Sequence, residues 1–267
     1  TYKVALVQNG WRTANSPGGE TNFIGTRNYE FVDSYFSLGH AAATSFNSKF
    51  KDQFIPIGSL NLNFYPAPKH NIHGHKSVSL VSIFRPSRSE AAQGLEDLKT
   101  LARCLVRSNL DLKIIGCQTS SAGVALEEKF YSQIFSENNY ELLVRTESRT
   151  SYSRLDNTSV FIVDQSTLGY EALSLGLRVG FISFQLPFRN TDRFGKPLEF
   201  GEKGPFWTND PSEEEIGRIL DYLLSVSDEQ WERDSGWIRD QLMVHDYGNT
   251  KIRAYVEGVL TDSLESK

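Results

Sequence analysis

Val160-Phe-Ile-Val-Asp-Gln-Ser-Thr-Leu-Gly-Tyr-Glu-Ala-Leu-Ser-Leu-Gly176, followed by Leu177-Arg-Val-Gly-Phe-Ile-Ser183, reads as a strand, a hydroxyl-rich turn, a short helix and a second strand. Val160 to Val163 is a short, apolar, largely β-branched run, the composition of a strand buried on both faces of a parallel sheet. From Asp164 to Thr167 the chain turns polar and sets hydroxyls at a helix start. Backbone N–H groups and the positive end of the helix dipole attract phosphate oxygens there. Glu171 follows Thr167 by about one turn, where a carboxylate can accept hydrogen bonds from a ribose diol. Gly176 is placed to end the helix as a C′ glycine. The same grammar also describes any capped helix in an α/β protein, so the place of this segment in the chain decides its meaning.

Working outward, 267 residues with 39% hydrophobic and 12% aromatic content can build one large or two small domains around a substantial core. No run approaches the roughly 18 apolar residues of a membrane span, and no basic-then-apolar leader opens the sequence. The expected location is therefore cytoplasmic. The chain begins in mid-strand at Tyr2-Lys-Val-Ala-Leu-Val7, which suggests trimming. Cys104 falls in a helical pattern and Cys117 at a strand end, and neither belongs to a CxxC pair, which argues against a disulfide framework or a zinc site. Net charge is −5, yet residues 1–75 carry six Lys/Arg against four Asp/Glu. So small an excess does not indicate nucleic-acid binding, though it suits a surface that meets an anionic acceptor or membrane headgroups.

The first segment reads as strand Lys3–Val7, a long loop from Gln8 to about Asn28, strand Phe31–Leu38, helix Ala41–Lys51 and strand Phe54–Ile57. The loop Asn9-Gly-Trp-Arg-Thr-Ala-Asn-Ser-Pro-Gly-Gly-Glu20 is longer than a simple connection needs. Pro66 to His75 breaks the pattern, and the expected division is residues 1–68, a linker over 69–76, and a second α/β domain over 77–267 with terminal helices. That domain continues with strand Ser77–Phe84, a helix whose apolar face holds Leu95, Leu98, Leu101, Ala102 and Leu105, strand Leu112–Gly116, helix Ala125–Phe135, strand Glu141–Arg145, and the opening segment. Asp210-Pro-Ser-Glu213 and Ser227-Asp-Glu-Gln230 read as capping boxes that start two late helices. Alternating β/α units predict parallel sheets, with ligands beyond the carboxyl ends of the strands.

Tyr152-Ser-Arg-Leu-Asp156 together with Val160 to Leu173 resembles the donor-binding half of GT-B glycosyltransferases, closest to bacterial surface-carbohydrate enzymes of capsule and lipopolysaccharide assembly. Weaker matches run through Val7-Gln-Asn-Gly-Trp-Arg12, Phe54-Ile-Pro-Ile-Gly-Ser-Leu60, Ser82-Ile-Phe-Arg85, Gly204-Pro-Phe-Trp207 and Asp246-Tyr-Gly-Asn249. The resemblance implies two Rossmann-like domains facing a cleft, the donor held mainly by the second and the acceptor by the first. Here the first is abbreviated, either truncated or reduced. The implied activity is metal-independent transfer of a sugar from a nucleotide-activated donor, CMP-linked Kdo or a UDP-sugar, to a surface-glycan acceptor. A glycan or glycolipid acceptor implies peripheral membrane association at the inner face. No cofactor is expected, the nucleotide sugar being substrate. A sugar-nucleotide epimerase of the same fold and a non-catalytic sugar-nucleotide-binding subunit stand as alternatives.

By resemblance, Ser166 and Thr167 with the backbone of Leu168 and Gly169 would hold donor phosphate, and Glu171 the ribose. Arg85, at the end of the first strand of the second domain, would neutralise the leaving phosphate, or else is a surface arginine in a Pro-flanked turn. Gln118 and Thr119 follow a strand end and are candidates for contact with the base. Transfer also needs an acid/base or nucleophilic group on the acceptor side, for which Glu20, Glu30, Asp33 and His40 are the candidates. Asp33 equally suits a structural carboxylate, Glu20 a solvated loop and His40 a helix cap. Asn9 and Arg12 in the first loop face the expected cleft or order the loop. His70, His73 and His75 match no standard zinc spacing. Phe184, Phe188, Phe194, Phe200, Phe206 and Trp207 wall a sugar pocket or pack a long loop.

Overall fold

The computed structural model describes residues 3–8, 32–41, 53–67, 77–90, 94–136, 139–146, 151–155, 158–164, 166–184, 194 and 200–265. The expected helix over residues 42–51, the linker histidines, Phe188, Glu20, Asn9 and Arg12 lie outside them. Two parallel sheets result. The first holds β1 (Ala5–Val7), β2 (Ser34–Ser37) and β3 (Phe54–Pro56), with β2 central and both pairings parallel.

The second sheet has seven strands: β4 (Ser77–Val81), β5 (Asp111–Ile115), β6 (Tyr140–Leu143), β7 (Val160–Val163), β8 (Val179–Ile182), β9 (Lys203–Gly204) and β10 (Trp207–Thr208). Their spatial order is β6-β5-β4-β7-β8-β10-β9, and only the β9–β10 hairpin is antiparallel. β4, β7 and β8 are buried at every position, as continuous apolar runs in the middle of a covered parallel sheet must be. The two serines that interrupt β4 are tolerated because such groups find partners: Ser79 shares a 2.8 Å hydrogen bond with Thr158.

Helices α1 (Leu95–Arg107), α2 (Ser121–Ile134), α3 (Thr167–Ser174), α4 (Glu213–Ser225), α5 (Asp228–Leu242) and α6 (Thr250–Glu265) complete the described fold. The apolar face read for α1 is buried at Leu98, Leu101, Ala102 and Leu105. α2 starts four residues before its expected first residue, because Ser120 caps it by accepting the Gly123 N–H at 3.1 Å. The cap of α4 is Ser212 rather than Asp210. Its hydroxyl faces the Glu215 N–H, while the Asp210 carboxylate accepts from the N–H and the hydroxyl of Ser212. Pro211 therefore precedes the helix. Ser227 caps α5 as its box predicts. Gly176 lies at φ 82°, the left-handed conformation that ends α3 and that a side chain would strain.

The aromatic group belongs to the core. Phe194 stacks on Tyr170 and touches the rings of Phe181, Phe200, Phe206 and Trp207, which closes the β8–β10 edge of the sheet. Those rings therefore do not wall a sugar pocket.

The last helix was expected with the second domain, but it returns to the first sheet. Tyr255 of α6 meets Phe36 of β2 edge-on at 5.1 Å, and the Lys251 ammonium donates to the Pro56 carbonyl. Asn63, fully buried, pins this crossing. Its amide donates to the Ile57 carbonyl and to Asn249 Oδ1, and its Oδ1 and main-chain carbonyl accept the N–H groups of Asp246 and Gly248. Asp246 in turn accepts from the Lys251 N–H and the Thr250 hydroxyl at the start of α6. The Asp246–Asn249 segment is thus a structural joint between the two sheets. Among the described residues, no helix is long and apolar enough to cross a membrane.

Candidate functional site

A cavity of about 420 Å³ opens where the carboxyl ends of the two sheets face each other. The first sheet contributes Val7 at the end of β1 and Gln8 after it, Leu38 after β2 and Ser59–Asn61 after β3. The second contributes Val81 at the end of β4 with Ser82 and Arg85 after it, Ile115 at the end of β5 with Gly116 and Cys117 after it, Arg145 after β6, Ser151 and Tyr152 before β7, and the Ser166 cap with Thr167, Leu168 and Glu171 of α3. Ligands of open α/β sheets bind at this end because strand exits and helix starts present polar groups there that the ladder does not consume.

The start of α3 is built as its sequence indicates. Ser166 is the N-cap, its hydroxyl accepting the Leu168 N–H at 3.3 Å, and Thr167 opens the helix. A phosphate here would take N–H groups in competition with the Ser166 hydroxyl, at the positive end of the dipole. Gly169 has a packing role that its sequence context did not announce. Its N–H donates to the Ser166 carbonyl at 2.9 Å, and a Cβ on it would stand 2.6 Å from Val163 Cγ2. Gly169 lets α3 lie against β7.

Glu171 lines the cavity at only 6% exposure. Its Oε1 accepts the Ser59 hydroxyl at 2.5 Å, from the first sheet's side, and the Tyr152 hydroxyl at 2.9 Å. Burial raises its pKa above the ordinary value, while the hydrogen bonds from Ser59 and Tyr152 pull it down. The same carboxylate raises the Tyr152 phenol, after desolvation as the larger cause. Two hydroxyl donors already converge on this carboxylate, the kind of partner a ribose diol would provide.

Arg85 reaches the cavity from the exit of β4, its guanidinium donating to the Phe84 carbonyl at 2.8 Å. Gln118 is not among the lining residues. Its N–H is held by Glu127 at 3.1 Å and its side-chain amide turns to Cys117, so the wall after β5 is made by Gly116 and Cys117.

Of the acid/base candidates, Asp33 lies at the wrong end of the sheet. It precedes β2, pairs with Lys3 at 2.8 Å and accepts the Val4 N–H, tying the starts of β1 and β2 together. The Lys3 hydrogen bond lowers its pKa, as in a strand-joining ion pair. His40 follows β2 at the correct end, but it is exposed and outside the cavity lining, its N–H donating to the Asp240 carbonyl. Arg145 and Ser59 were missed as cavity residues. Arg145 had a signal, a cation just past a strand end like Arg85. Ser59 stood only within the weak Phe54–Leu60 match, and its meeting with Glu171 spans 112 residues.

The family model described as "putative O-antigen biosynthesis protein" matches residues 5–259. No curated protein matches the chain. Similar solved structures include the Staphylococcus aureus MnaA–UDP co-structure, at 14% identity and TM-score 0.60, covering 97% of this chain and 70% of that one. The wall teichoic acid polymerase TagF aligns at 12% identity and TM-score 0.55, covering 98% and 69%. Methanocaldococcus jannaschii UDP-GlcNAc 2-epimerase in complex with UDP-GlcNAc and UDP aligns at 10% and 0.61, covering 96% and 69%. At such identities the likeness is one of fold, and the fold is GT-B-like: two parallel α/β layers facing a cleft.

Proposed function

We propose that this chain, which belongs to the O-antigen biosynthesis protein family, is a glycosyltransferase that takes a nucleotide-activated sugar into the cavity between its sheets and passes the sugar to a surface-glycan acceptor. One observation carries the reading: a capped helix start, an arginine and a buried carboxylate already engaged by hydroxyls converge on one cavity at the carboxyl ends of both sheets. The first two suit phosphate and the third suits ribose. Nucleotides in similar folds support it, namely the UDP of the MnaA structure and the CDPG of a TagF structure.

In this reading the bond from the sugar's anomeric carbon to the phosphate oxygen breaks as the acceptor oxygen bonds to that carbon. Negative charge grows on the departing nucleotide, where Arg85 and the α3 start offset it. The acceptor proton passes to a group on the first sheet's side. His40, just beyond β2, and Glu20 and Glu30, outside the described residues, are the candidates that remain. The donor is a CMP- or UDP-linked sugar, and no resident cofactor takes part. The acceptor is a glycan or glycolipid met at the inner face of the membrane by the mildly basic first segment.

A second reading, a sugar-nucleotide epimerase, draws on the likeness to the archaeal UDP-GlcNAc 2-epimerase. Thermal shift against CMP-, UDP- and GDP-sugars followed by product analysis separates the two. Free nucleotide that appears only with an acceptor supports transfer, and an isomerised sugar nucleotide supports epimerisation. Stabilisation by none of the panel overturns both.

A further inference from the structure

Behind the cavity wall made by Gly116 and Cys117 stands a carboxylate that neither reading uses. Glu127 of α2 is 1% exposed. Its Oε1 accepts the Cys117 N–H at 3.0 Å and, in a short contact, the Ser82 hydroxyl, while its Oε2 accepts the Gln118 N–H at 3.1 Å. Tyr131, one turn further along α2 and fully buried, donates to Ser82 Oγ and accepts the Ile83 N–H, both at 3.0 Å. The exits of β4 and β5 are thereby tied to one buried carboxyl group. Gly116 stands directly on it, since a Cβ there would lie 3.3 Å from Glu127 Oε2 and 3.1 Å from the Leu143 carbonyl.

A buried carboxylate is costly unless its oxygens are hydrogen-bonded, and charge-assisted bonds to backbone N–H groups fix a loop more firmly than neutral ones. Two of the three donors to Glu127 are main-chain N–H groups of the loop whose first half lines the cavity. That loop follows β5, two strands from β7 and the α3 start. Two inter-strand spacings are about 10 Å, so a nucleotide with its phosphate on α3 is long enough for its nucleoside to reach this wall.

We propose that Glu127 is a positioning residue for the nucleoside end of the cavity, holding the Gly116–Gln118 wall and the Ser82–Arg85 exit in one fixed arrangement. The inference rests on the nucleotide-binding reading. It also explains why Gln118 does not line the cavity: its N–H is committed to the clamp.

The test compares UDP and CDP, which reach this wall, with inorganic pyrophosphate, which engages only the phosphate end. Glu127→Gln keeps the volume but turns an amide NH2 toward a loop of N–H donors. By calorimetric titration, its Kd for UDP and CDP rises about tenfold or more, the loss of one charge-assisted bond, while pyrophosphate changes less than about twofold. Tyr131→Phe, which touches the wall only through Ser82, shows the same split at a smaller amplitude and serves if the first variant fails to fold. Alkylation of Cys117 is faster in Glu127→Gln. Equal losses for UDP and pyrophosphate, or unchanged UDP affinity in folded variants, overturn the assignment. Failure of the unaltered protein to bind UDP or CDP instead overturns the nucleotide reading on which it rests.

Discussion

At the scale of single residues, Glu171 concentrates the account. It sits at the meeting of the two sheets, engaged by Ser59 from one side and Tyr152 from the other. Replacing it with Ala weakens nucleotide binding by more than about 1 kcal/mol, the scale of a hydrogen bond to a charged group, without unfolding the protein. An unchanged Kd by calorimetry removes it from the site. Its raised pKa also predicts a pH dependence. A carboxyl whose folded pKa exceeds the unfolded one contributes its stabilising share below the unfolded value and loses it as pH rises through the folded value. Glu171→Gln cannot ionise, so its melting temperature gains on the wild type as pH rises from the ordinary glutamate range through the raised folded pKa. A flat difference across that window contradicts the buried, charge-disfavouring environment. Ser166→Ala removes a cap worth about 1 kcal/mol and also weakens nucleotide binding.

At the scale of elements, α3 shows what sequence can and cannot reveal. Its cap, its eight residues and its C′ glycine are local signals, and Ser166, Thr167–Ser174 and Gly176 appear where the reading puts them. The role of Gly169 was not legible, because the need for it comes from Val163 on a neighbouring strand. Gly169→Ala therefore overpacks this contact and lowers stability by about 1–3 kcal/mol in denaturant unfolding, and a second change, Val163→Ala, restores part of the loss. Asp33 was chosen for chemistry that its place before β2 does not support. A carboxylate before a parallel strand faces the end away from the cavity, and only the pairing of β1 with β2 reveals which end that is. β9 and β10, two residues each, carry too little pattern to be read. Glu127 and Ser59 act through contacts distant in sequence, which no local periodicity encodes.

At the scale of the whole molecule, alternation of strand and helix was enough to predict two parallel layers with a cleft between them. The route of the chain's end was not, because α6 crosses back to the first sheet on hydrogen bonds centred on Asn63. Asn63→Ala leaves the Ile57 carbonyl, the Asp246 N–H and Asn249 without this partner in a buried joint, at a cost of about 1–3 kcal/mol or more by calorimetric unfolding. A loss below about 0.5 kcal/mol would show that the joint is not a stabilising connection. The most direct measurement is a crystal structure of the protein soaked with UDP and, separately, CMP. The account predicts phosphate density at the Ser166–Thr167 helix start and ribose hydroxyls on Glu171, with the base against Gly116 and Cys117. Nucleotide bound elsewhere, or absent from the cavity at saturating concentration, would contradict it.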